Sequence, residues 1–185
     1  MINKLKISGF TLVEILIAVS LFTLVASISI GAILSIFDAN NRSRSSKTVV
    51  DNLNLAVEDM TRVVRFGTNY HCGDDDDFDE PENCPSGDTL LAVTFNGNIV
   101  VYKLCGTAIK RSDNGEDDCN DTDMRAITSS DTVVRHLNFY VFGSSNIDTL
   151  QPYVVALIEG YVGNRPTSQS TFSIQTTMSQ RALDI

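Results

Sequence analysis

From Ile15 to Phe37 the chain runs 23 residues without a charge. A helix rises about 1.5 Å per residue, and roughly 20 apolar residues span a bilayer core. The run therefore predicts one membrane-crossing helix. It is too long for the apolar part of a cleaved secretory signal, and Gly31-Ala32-Ile33 makes a poor cleavage site. The pattern then changes without breaking. From Asp38 to Phe66 there is neither Pro nor Gly, and Val49, Leu53, Val57, Met60 and Val64 recur at spacings of four, four, three and four. That is a single apolar stripe at helical period. The two stretches together predict a helix from Phe10 to Phe66, about 85 Å long, whose first half is lipid-embedded and second half amphipathic. Gly67 is the expected stop.

After a polar stretch the period falls to two. Thr89 to Phe95 and Asn98 to Leu104 flank Asn96-Gly97, a strong signal for a hairpin closed by a type I′ turn. A short strand at Thr107 to Arg111 is expected next. Longer strands are predicted over Thr132–Phe142, Tyr153–Val162 and Thr171–Ser179. On the first of these, Val133, Leu137, Phe139 and Val141 are assigned one face; on the second, Val154, Ala156, Ile158 and Val162. On the third, Phe172, Ile174 and Met178 face one way and Ser173, Gln175, Thr177 and Ser179 the other. The expected fold class is α+β: one very long N-terminal helix, its second half packed on a small antiparallel sheet formed by residues 67–185. No internal repeat is visible.

Composition narrows the function. The net charge is −9 and the pI about 4.5. A phosphate-binding surface needs excess Lys and Arg, so nucleic-acid binding is not expected. The only histidines are His71 and His136, the latter expected to be exposed on its strand. No nucleophile elbow, zinc-helix or phosphate-loop motif occurs, so neither enzymatic activity nor a cofactor is expected.

Cys72, Cys84, Cys105 and Cys119 all follow the apolar run and sit in acidic loops, as in secreted disulfide frameworks. They favour a C-terminal part outside the cytoplasm. The flanking charges do not decide orientation, because Lys4 and Lys6 on one side nearly balance Arg42, Arg44 and Lys47 on the other. Three pairings are open. The local one, Cys72 with Cys84 and Cys105 with Cys119, is favoured over a crossed pairing or free thiols. Zinc is not expected without a CxxC pair. The acidic loops hold Asp74, Asp75, Asp76, Asp77, Asp79 and Glu80, and then Asp113, Glu116, Asp117, Asp118, Asp121 and Asp123. Neither fits the EF-hand spacing. A solvated acidic surface is the main expectation, with calcium at Asp113, Asp117, Asp121 and Asp123 as the minor one.

Glu14 stands at the head of the apolar run, where a carboxylate is costly unless paired. It belongs to Gly9-Phe10-Thr11-Leu12-Val13-Glu14, preceded by a leader with Lys4 and Lys6. This stretch resembles the class III signal of type IV pilins and type II secretion pseudopilins. The match is tight over residues 1–37 and loose beyond. The resemblance implies cleavage between Gly9 and Phe10 by prepilin peptidase, methylation of the new Phe10 amine, and a glutamate, Glu14, as fifth residue of the mature chain. It implies a pilin-like fold with residues 1–9 as leader, 10–37 as membrane and filament-core helix, 38–66 as amphipathic helix and 67–185 as extracytoplasmic domain. It also supplies a partner for Glu14, the Phe10 amine of a neighbouring subunit. The alternative is that Glu14 only caps the first helical turn.

Gly31 lies where many pilins carry Pro, so a bend there in a filament is expected, against close helix packing through a small residue. The closing stretch TFSIQTTMSQRALDI resembles the last strand of minor pilins and tip pseudopilins. The implied partners are other pilin subunits, the peptidase, an assembly platform and, before assembly, the cytoplasmic membrane. The final location is a surface or periplasmic filament. The alternatives are a pseudopilin of secretion or DNA uptake, and a signal-anchored binding domain that never assembles.

Overall fold

The computed structural model describes residues 9–73, 77–145, 150–163 and 169–181, leaving aside the side chains of Arg42, Ser45, Ser46, Thr48 and Val49. The expected leader residues Met1 to Ser8, with Lys4 and Lys6, lie outside the described residues, as do Asp74, Asp75, Asp76 and the side chain of Val49.

One helix, α1, spans Leu12–Phe66, 55 residues. The chain divides into two compact units, residues 1–41 and 42–185. In the first, Leu12–Asn41 is long and apolar enough to cross a membrane, and none of it is buried. Four of its hydroxyls are satisfied within the helix. Ser20 Oγ donates to the Leu16 carbonyl at 2.8 Å, Thr23 Oγ1 to Ser20 at 2.9 Å, Ser27 Oγ to Thr23 at 2.8 Å and Ser29 Oγ to Val25 at 2.8 Å. Such back-bonding lets a helix carry Ser and Thr into lipid without unmet donors.

The second unit holds two antiparallel sheets. The first has the order β1-β2-β3-β4-β5, from β1 (Thr68–Cys72), β2 (Leu90–Phe95), β3 (Asn98–Cys105), β4 (Ala108–Ser112) and β5 (Arg125–Ala126). The second has the order β6-β7-β8, from β6 (Thr132–Phe142), β7 (Tyr153–Val162) and β8 (Ser170–Ser179). Where one sheet was expected there are two, joined where Asp88 bridges Phe139 and the Val134 amide donates to the Thr107 carbonyl at 2.9 Å.

The β2–β3 hairpin turns at Asn96 (φ 54°) and Gly97 (φ 82°), the pair of positive angles that a type I′ turn needs. β1 and β5 are strands the periodicity did not reveal. β1 is only five residues long and its register shifts at Asn69, itself at φ 53°. One face assignment is corrected. A bulge between Val134 and His136 re-aims the start of β6, so Val134, not Val133, joins Leu137, Phe139 and Val141 in the core.

The helix contributes Leu53, Ala56, Met60, Val63 and Val64 to this core, against Tyr70, Leu91, Val93, Tyr102, Phe139 and Ile158 from the sheets. Burying each large apolar side chain is worth about 1.5–3 kcal/mol. The helix ends as Gly67 was expected to end it. A Cβ there would collide with Val93 Cγ1 and lie 2.7 Å from the Val63 carbonyl oxygen. The Tyr70 hydroxyl lies 2.7 Å from the Val64 carbonyl and covers the helix end.

Candidate functional site

Gly9, Phe10 and Thr11 precede the helix, and the chain becomes helical at Leu12. Thr11 is the cap. Its Oγ1 accepts the Glu14 amide hydrogen at 3.3 Å, while its carbonyl accepts from the Ile15 amide at 3.2 Å. Thr11-Leu12-Val13-Glu14 thus carries the spacing of a capping box. The role of Thr11 was not foreseen, although that spacing is visible in the sequence. The Thr11 cap uses the Glu14 backbone amide, and the carboxylate stands in the first turn, where its charge also suits the helix dipole. The side chain is exposed and meets no hydrogen-bond donor among the described residues. In contrast to Ser20, Thr23, Ser27 and Ser29, it is not satisfied by its own helix. Phe10, 79 % exposed, stands free beside the Gly9–Phe10 peptide bond. Gly31 lies inside an unbroken helix, and a Cβ there would meet nothing within 4 Å.

In the second unit, Cys72 is bonded to Cys84 and Cys105 to Cys119, with Cα atoms 5.7 and 5.5 Å apart. The two loops so closed come together. Asp77, Phe78 and Asp79 from one and Asn114, Gly115, Glu116 and Asp117 from the other line an open polar pocket.

The four calcium candidates are each engaged within the chain. Asp113 pairs with Arg111 at 2.5 Å and with Arg125, and Asp117 with Lys103 at 3.0 Å. Asp121 Oδ1 accepts the Asp123 amide hydrogen at 2.8 Å, and Asp123 Oδ2 accepts from Asn114 Nδ2 at 2.6 Å. Among the described residues no three His, Cys, Asp or Glu side chains converge as metal ligands would.

A polar cluster that sequence reasoning missed ties the helix to the first sheet. Asp59 accepts from Tyr102 Oη at 2.9 Å and from Arg111 Nη1 at 2.6 and 2.7 Å. Burial pushes the Asp59 carboxyl up, but the bonds from Arg111 and Tyr102 outweigh it and hold it below the usual carboxylate range. Burial, with the neighbouring Asp59 charge, drives the Tyr102 hydroxyl up, so it stays a donor. Burial lowers Arg111, but the Tyr102 oxygen and the bonds to Asp59 and Asp113 raise it overall. Separations of 43 and 52 residues left no local signal for this cluster. His136 is exposed, whereas His71 is buried edge-on against Phe78, with Nδ1 2.8 Å from the Glu80 carbonyl oxygen.

Residues 4–30 match the family model described as the prokaryotic N-terminal methylation motif. Neither the comparison with curated proteins nor that with solved structures gave a match. The matched segment holds Gly9, Phe10, Thr11 and Glu14 and most of the exposed apolar helix. The chain therefore carries the prepilin signature of type IV pilins and pseudopilins, on an α+β, pilin-like arrangement.

Proposed function

We propose that the chain is a structural subunit, specifically a minor pilin, of a bacterial type IV pilus. It is inserted in the cytoplasmic membrane by its apolar helix, with residues 67–185 outside. Prepilin peptidase cuts between Gly9 and Phe10 and the Phe10 amine is methylated. The helix of residues 10–37 then leaves the lipid for a bundle of like helices, delivered through an assembly platform. No chemistry of its own is required, and the subunit is not an enzyme.

The observation that carries this reading is the Glu14 carboxylate, exposed at the head of the apolar helix and unmatched by its own helix. An unpaired carboxylate costs about 2.5–3.5 kcal/mol at the bilayer centre on insertion scales, an upper bound for Glu14 at the head of the run. A charge-assisted bond to a neighbour's Phe10 ammonium offsets much of that cost and selects one helix register. A membrane anchor that never assembles gains from the group no more than a charge at the helix start. The two disulfides support an oxidising compartment for the folded domain. Gly31 supplies the weak point at which the helix bends when bundled.

Glu14→Leu tests the reading. Membrane insertion stays normal and incorporation into filaments is lost. Surface display unchanged by the substitution would favour the anchored binding domain. Filaments confined to the periplasm would favour a pseudopilus.

A further inference from the structure

Only two asparagines precede a glycine, Asn96 and Asn114. Such a pair reacts with itself when its groups are free to meet. The glycine amide nitrogen attacks the asparagine side-chain carbonyl carbon, and with no Cβ on the glycine nothing beside the nitrogen hinders the approach. The fold holds these two pairs in opposite ways.

Asn114 is pinned at each reacting group. Its Nδ2 donates to Asp123 Oδ2 at 2.6 Å and its Oδ1 accepts from Ser112 Oγ. The Gly115 amide donates to the Ile99 carbonyl at 2.9 Å. Attack would break all three bonds. Asn96 has no such hold. With Gly97 it forms the exposed tip of the β2–β3 hairpin, beyond the last ladder pair, Phe95 with Asn98. Among the described residues neither the Asn96 side chain nor the Gly97 amide makes a hydrogen bond. A Cβ on Gly97 would meet nothing within 4 Å, so the tip is open to water.

We propose that Asn96 is a site of spontaneous modification, converted through a cyclic imide to aspartate and isoaspartate, and that its loop protects Asn114. The Gly97 nitrogen gives up its proton and bonds to Asn96 Cγ. The Cγ–Nδ2 bond breaks, and ammonia leaves with that proton. Water then opens the ring. Cleavage at Cγ leaves aspartate on an unaltered backbone. Cleavage at the main-chain carbonyl carbon leaves isoaspartate, with a main chain one carbon longer.

The products differ in consequence. Asp-Gly also makes a type I′ turn, so aspartate keeps the hairpin and adds a negative charge at its tip. Isoaspartate lengthens a two-residue loop whose length sets the register of β2 on β3. The reaction needs only water and is independent of filament assembly.

The test holds the purified full chain in detergent, in mildly alkaline water labelled with heavy oxygen. Label uptake at both sites is followed by peptide mass spectrometry, with the Asn96→Asp chain as the aspartate standard. The expected result is conversion severalfold faster at Asn96 than at Asn114 in the folded chain. The rates should become nearly equal once urea and a reductant unfold both loops. Conversion at Asn114 as fast as at Asn96 in the folded chain, or no conversion at Asn96, would overturn the proposal. A difference that persists after unfolding would overturn the protection of Asn114 by the fold.

Discussion

Asp59, on the helix, receives both of its shortest hydrogen bonds from one guanidinium nitrogen, Arg111 Nη1 on β4, at 2.6 and 2.7 Å. The pair is shielded but not sealed, with side-chain exposures of 19 % and 14 %. Breaking a fully buried pair costs about 3–5 kcal/mol and an exposed one under about 1. Asp59→Asn should therefore cost about 2 kcal/mol at pH 7, read by urea unfolding of the full chain in detergent.

The same pair sets a pH dependence. A carboxyl held low in the folded chain contributes stability above its unfolded value, near pH 4, and loses it as pH falls through the lower folded value. The gap between parent and Asp59→Asn should be constant above about pH 5 and close on acidification below about pH 4. A gap that widens on acidification would show that Asp59 is not held low.

Gly160 sits on β7 opposite Phe172, and a Cβ there would collide with the Val133 carbonyl oxygen and lie 2.8 Å from the Phe172 ring. Because the obstacle is backbone, Gly160→Ala should cost about 2 kcal/mol or more, as overpacking does. A melting temperature equal to the parent's would contradict this contact.

Each disulfide closes a short loop, of separations 12 and 14. On the chain-entropy account each contributes roughly 3 kcal/mol. Cys72→Ser with Cys84→Ser should lower stability by that much, and so, independently, should Cys105→Ser with Cys119→Ser. Since Asp113 and Asp117 are held by Arg111, Arg125 and Lys103, millimolar calcium should leave the melting temperature of the parent unchanged. A rise of several degrees would mean that calcium displaces those cations.

The parts of this molecule that obey a local period were legible in the sequence. Leu53, Met60 and Val64 recur on one helix face and are buried, Gly67 ends the helix, and Asn96-Gly97 turns the hairpin. What was not legible depends on distant partners. The Asp59–Arg111 pair joins residues 52 apart. β1 exists because β2 lies beside it, and its own five residues break register at Asn69. A bulge is one residue inserted in a period of two, so β6 moved Val134 into the place expected for Val133. The division into two sheets follows from backbone bonds such as Asp88 to Phe139, which no composition encodes. At the N-terminus the reverse holds. The motif was plain, and the geometry added the Thr11 cap, which accepts the Glu14 amide hydrogen.

The most direct test of the filament reading is mass spectrometry of the N-terminal peptide from filaments sheared off producing cells. The expected peptide begins at N-methylated Phe10. A chain that still begins at Met1 and is found only in membranes would contradict it.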